Sequence, residues 1–156
     1  MDKIILYRNI RLIGKGLKMK RYINAAVVYG ILALIGGVFF REFTKYFSLN
    51  SYSTLSVLHT HYFVLGMVFL LILGLLEKTL SFTNEKTTKV MIAYHIGLNL
   101  TVIMLFVRGI FQVRPDGLTH GIDAMISGIA GVGHLILGVS LIILLLTVKR
   151  SVNQAK

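Results

Sequence analysis

Three histidines sit inside long apolar stretches of this chain. His59 and His61 fall in Leu58-His59-Thr60-His61-Tyr62, and His134 closes Ser127-Gly128-Ile129-Ala130-Gly131-Val132-Gly133-His134. An ionisable side chain in hydrocarbon is costly and marks a functional site by default. Neutral imidazole is also a common metal ligand, so coordination is the chemistry to test first. Two residues on a helix correspond to about 200° of rotation. His59 and His61 therefore point to nearly opposite sides and cannot share one metal from a regular helix. His134 falls on one face with Ser127, Gly131 and Gly138 by helical spacing. Glycine above and below a histidine leaves a smooth trough, the shape that a rigid planar macrocycle requires. The pattern predicts b-type haem, its iron held by His134 and one of His59 or His61. The remaining histidine would serve a second haem or a hydrogen bond. The plainer alternative is a glycine stripe for close helix packing with a polar clip.

Two arginines belong to the same argument. Arg41 ends the first apolar run and Arg108 lies near the end of the third. Haem carries two propionates at one edge, and guanidinium is the best bidentate partner for a carboxylate. The predicted cofactor-binding set is His59, His61, His134, Arg41, Arg108 and Gly131, with the three histidines as metal ligands. His95 is read as an interfacial or hydrogen-bonding residue. Asp116, His120 and Asp123 read as a solvated helix start or a weak surface metal site, with Asp116 and Thr119 available as caps.

These residues need membrane helices to position them. The chain has 156 residues, is 55% hydrophobic and has a mean hydropathy of +0.76. Its apolar residues form runs of about 20, the length that crosses a bilayer. Four spans are predicted, at Tyr22 to Arg41, Thr54 to Leu76, Thr88 to Val113 and Leu118 to Val148. The fold class is all-α, an integral membrane four-helix bundle running up-down-up-down. Residues 1–21 form a basic N-terminal segment and residues 22–150 the four-helix domain. Ile4, Ile5, Leu6, Ile10, Leu12, Ile13 and Leu17 alternate loosely with basic residues. That pattern suits a surface helix or a tail, or else a start placed upstream of Met19. No cleavable signal peptide is recognised.

The net charge of +11 suggests nucleic acid only until its distribution is read. Thirteen basic residues fall at one side: seven before Tyr22, then Lys78, Lys86, Lys89, Lys149, Arg150 and Lys156. Four fall at the other: Arg41, Lys45, Arg108 and Arg114. This is the positive-inside pattern, with both termini in the cytoplasm of a bacterial inner membrane. Cysteine is absent, which excludes disulfides, iron–sulfur clusters and thiolate-bound metals. No serine–histidine–acid set or phosphate-binding glycine loop is visible, so no catalytic residue is assigned.

The chain resembles a family of small bacterial four-helix membrane proteins known mainly as a domain of unknown function. The resemblance covers about Met19 to Arg150. It rests on Phe40-Arg41-Glu42-Phe43-Thr44-Lys45, Leu58-His59-Thr60-His61, Leu98-Asn99-Leu100-Thr101-Val102-Ile103-Met104, Arg108-Gly109 and the run from Ser127 to His134. More loosely, His59-Thr60-His61-Tyr62 is similar to the His-x-His-Tyr stretch of haem–copper oxidase catalytic subunits. There the two histidines serve different haems on opposite sides of one helix. Leu58-His59-Thr60 is similar to the corresponding stretch of nitric oxide reductases. Both likenesses imply b-type haem. Four spans in place of twelve, and no cluster of three further histidines for copper, put pumping oxidase chemistry in doubt.

The expected function is a haem-binding membrane protein for electron transfer, haem handling or gas sensing, most simply a homodimer. A divalent-metal or small-solute carrier is the competing reading. Zinc or copper would want three or four close ligands, and carriers commonly break their helices at mid-membrane.

Overall fold

A computed structural model describes residues 2–48, 52–113 and 119–154, with only the backbone described for residues 2–13. Among the described residues all regular structure is helical. Helix α1 spans Asp2–Tyr46, α2 Thr54–Leu80, α3 Glu85–Gln112 and α4 His120–Gln154. All four are long and apolar enough to cross a membrane, α1 over Gly14–Tyr46. The protein is thus a multi-pass membrane bundle; α1 and α2 run past the apolar runs expected for them, while α3 stops one residue before Val113 and α4 begins at His120 and runs on to Gln154. The N-terminal segment is helical too: α1 continues from Asp2 into the first span without a break.

The up-down order is visible in the turns. At one end, Lys18 Nζ of α1 donates to the Thr83 carbonyl in the α2–α3 turn (2.7 Å). At the other end, Thr54 at the start of α2 is tied to α3: its hydroxyl donates to the Leu105 carbonyl and its backbone N–H to Gln112 Oε1, both 2.9 Å. Caps set the boundaries. Ser53 accepts from the Leu55 N–H, and Asn84 accepts from the Thr87 N–H.

Small residues decide which helices touch. Helix association in lipid gains little from hydrophobicity and relies on close backbone approach. At Gly97 of α3 a methyl group would lie 2.5 Å from the Leu137 backbone nitrogen, and at Gly133 of α4 3.0 Å from the Thr101 nitrogen. Helices α3 and α4 therefore meet through Gly97 and Gly133, with Thr101 and Leu98 fully buried beside them. On the other side α1 packs on α2. Gly36 receives Leu58, Gly66 receives the Tyr29 ring, and Ala33 is buried between them. The small-residue face of α1 is thus a packing face. Helix α1 makes no backbone contact with α3 or α4.

Helix α2 is irregular. A 3-10 turn at Thr54–Val57 and one α-helical turn at Leu58–His61 lead into a π-helical stretch at Tyr62–Val68, before regular helix resumes at Phe69–Leu80. Wide π turns are uncommon and concentrate at functional sites. Here the Tyr94 hydroxyl of α3 donates to the Leu65 carbonyl inside the stretch (2.7 Å). A donor from a neighbouring helix thereby supports the irregular ladder.

Candidate functional site

His59 and His61 separate as their spacing requires. His59 turns toward α1, with its Cβ beside Gly36 and its ring beside Gly37. Its Nδ1 is buried without a hydrogen-bond partner. His61 turns toward α4. Its Nδ1 meets the Val57 carbonyl one turn earlier at 2.7 Å. His134 repeats the arrangement, with Nδ1 at 2.9 Å from the Ala130 carbonyl. A carbonyl can only accept, so both rings donate from Nδ1. In the neutral ring Nε2 is then the atom carrying the free lone pair, the tautomer that metal-ligating histidines adopt.

The His61 and His134 rings lie 6.3 Å apart between centroids, with their planes at 88°. Two imidazole nitrogens bound to one metal at about 2 Å each would put their ring centres at a comparable separation, roughly 6 Å. Among the described residues no three histidine, aspartate or glutamate side chains gather as a metal site. A pair of imidazoles suits a metal whose other ligands arrive with it, as they do in a porphyrin.

Gly131 lies on the exposed side of α4, and nothing stands within 4 Å of a methyl group placed at Gly128, Gly131 or Gly138. His134 is exposed on the same side. The glycine trough is therefore open, while Gly133, one step around, makes the packing contact with α3.

The arginines do not converge. Arg108 bonds Asp123 of α4, with its Nε 3.2 Å from Oδ1, and Nη2 reaches Ser127 Oγ at 2.6 Å. Ser127 is seven residues before His134, so this guanidinium stands about 10 Å along α4 from the imidazole. Asp123, read from sequence as part of a surface cluster, is instead the counter-charge of Arg108. Arg41 is 84% exposed and, among the described residues, pairs with Glu42 of its own helix at 3.7 Å. His120 is exposed, and Asp116 lies outside the described residues.

Two polar clusters were not foreseen. The first joins three helices. Tyr62 donates to Asn99 Oδ1, and Asn99 Nδ2 donates to the Tyr29 hydroxyl (both 2.9 Å) and to the His95 carbonyl (2.8 Å). The Tyr29 hydroxyl lies 2.9 Å from His95 Nδ1. Because Tyr29 already accepts from Asn99, its proton is directed at Nδ1. His95 is thus hydrogen-bonding, one of the two readings its position allowed, whereas Tyr62 and Asn99 stood out in sequence only as parts of motifs and Tyr29 not at all. The second cluster centres on Glu77, which is fully buried. Its Oε2 accepts the Thr83 N–H (2.9 Å) and hydroxyl (2.7 Å), and Tyr22 donates in turn to Thr83 (2.8 Å). Glu77 is the first charged residue after the second apolar run, a signal that sequence reading passed over as a boundary.

Comparison with known proteins adds the family. Residues 19–151 match the model of a protein family of unknown function, DUF2871, and the chain belongs to that family. No curated protein and no solved structure matches.

Proposed function

For a family that carries no assigned activity, we propose a membrane-embedded b-type haem protein serving electron transfer, haem handling or gas sensing. The reading places it in a bacterial inner membrane with both termini cytoplasmic, as the thirteen-to-four split of basic residues favours. One observation carries it: His61 and His134 face each other at 6.3 Å, each with Nδ1 committed to a backbone carbonyl. His61 and His134 would be the two axial ligands. His59, facing α1, would serve neither of these positions. Haem, when bound, supplies one-electron redox chemistry or binding of a diatomic gas. The chain's own part is to hold the two rings, fix their tautomers and exclude water. Arg108 is the residue available to a propionate, because it stands on the His134 side of α4. Asp123 holds it in the meantime.

The open trough also supports a homodimer. A macrocycle seated against Gly131 would leave one edge uncovered in a single chain, and a second copy packed on α4 would cover it. The test is an absorption spectrum of protein purified from haem-replete cells, oxidised and then reduced. A low-spin b-type spectrum that vanishes in His61→Ala and His134→Ala, and survives in His59→Ala, is the expected result. Protein without haem, or a spectrum indifferent to His134, would overturn the reading.

A further inference from the structure

The end of the molecule that carries most of the basic residues holds a cavity unconnected with the histidine pair. It lies between α1 and α3, whose backbones do not approach closely among the described residues and which are joined by the Tyr29–His95 bond. Its volume is about 110 Å³. A single water needs about 10–15 Å³ by the same measure. We infer that this cavity receives a phosphate oxyanion at an apolar edge, the headgroup chemistry of an anionic phospholipid.

The lining argues for that class of ligand. Lys18 and Arg21 stand at the cavity, and no acidic side chain lines it. Lys18 spends one of its three N–H groups on the Thr83 carbonyl and keeps two. His95 lines the same space. Its Nδ1 accepts from Tyr29, so the neutral ring carries its proton on Nε2, and the charged ring would too. Nε2 makes no hydrogen bond within the protein among the described residues and is a donor in either state. The nearest carboxylate, Glu77, has one oxygen held by Thr83 and belongs to a neighbouring cavity shared with Lys15 and Lys18. Tyr22, Thr83 and Thr88 add polar lining, and the apolar wall is Ala25, Met91 and Ile92, with Ile92 54% exposed on the outer surface of the bundle. Cations and donors above an apolar wall match a phosphodiester with acyl chains. Basic pockets between membrane helices bind acidic headgroups in this way.

Native mass spectrometry of the full chain in mild detergent tests the inference, with phosphatidylglycerol, phosphatidylcholine and inorganic phosphate as probes. Phosphatidylglycerol should bind at least about tenfold more tightly than phosphatidylcholine, a difference of about 1.4 kcal/mol. The preference should disappear in Lys18→Gln/Arg21→Gln. It should persist in Lys78→Gln/Lys86→Gln, which removes the same charge from exposed positions at the same end. Ala25→Phe fills the cavity without altering charge and should also abolish it. Millimolar phosphate that displaces the lipid supports the oxyanion site with free phosphate as a sufficient ligand. Phosphate that fails to displace it supports the headgroup with its chains. Equal loss in both glutamine pairs, or an unchanged preference in Ala25→Phe, overturns the inference in favour of diffuse attraction to a basic surface.

Discussion

Two groups of polar side chains within the bundle are bonded to different degrees. Tyr29, Tyr62, Asn99 and His95 close a chain of hydrogen bonds across three helices, whereas Glu77 bonds Thr83 through Oε2 and keeps Oε1 buried without a partner among the described residues. His61 and His134 each satisfy one ring nitrogen and direct no bond from the other. In lipid an unsatisfied polar group has no water to fall back on. The Tyr29–Asn99–Tyr62–His95 cluster therefore reads as a clip that holds helices together, and the half-satisfied rings of His61 and His134 as positions kept for a ligand. The comparison also separates the roles of glycine. Gly97 and Gly133 are where backbones meet, whereas Gly131 faces open space.

The contrast can be broken in order of effect. Gly97→Leu should be the most damaging change, because the side chain has only the α4 backbone to displace. Overpacking costs about 1–3 kcal/mol or more. Thermal unfolding in detergent should fall sharply, and the His61–His134 pair should separate with it. His134→Ala should be the reverse case: it should remove the low-spin haem spectrum while unfolding stays near wild type, since His134 is exposed. A large loss of stability without spectral change would show the histidine to be a packing clip.

Tyr29→Phe cuts the cluster at its centre, removing one of the two acceptors of Asn99 Nδ2 and the donor to His95 Nδ1. Interhelical hydrogen bonds in membranes are worth about 0.6 kcal/mol each and at most about 1.7. The expected loss is roughly 1–2 kcal/mol in an unfolding titration, with the haem spectrum intact. The arginines should split. Arg108→Gln removes the partner of Asp123 and should weaken haem retention several-fold in a transfer assay to apomyoglobin. Arg41→Gln, exposed and paired with Glu42 of its own helix, should change retention little and stability by no more than about 0.5 kcal/mol.

Much of the fold was legible because a membrane span is a local signal. Twenty apolar residues mark a helix wherever they occur, and helix rotation alone separated His59 from His61. The candidate site was legible only in its residue types. Its pairing was not, because which histidine of α2 meets α4 depends on which faces α1 and α3 occupy. Gly36 and Gly37 draw His59 toward α1, and Gly97 draws α4 against α3. The two arginines separate for a related reason: Arg41 pairs with Glu42 on its own helix, whereas Arg108 bonds Asp123 and Ser127 of α4.

The sequence by itself determined four membrane helices, their up-down order and the presence of imidazole in hydrocarbon, because hydropathy and helical period act over a few turns. Tertiary structure alone decided that Glu77 is buried, that Tyr29, Asn99 and Tyr62 form one cluster with His95, that Asp123 answers Arg108, and that His61 faces His134. Each of those facts joins side chains from different helices or across a turn. Apolar runs carry almost no record of such partners, since in lipid helix contacts are chosen by small residues and by the need to satisfy polar groups, not by hydrophobicity.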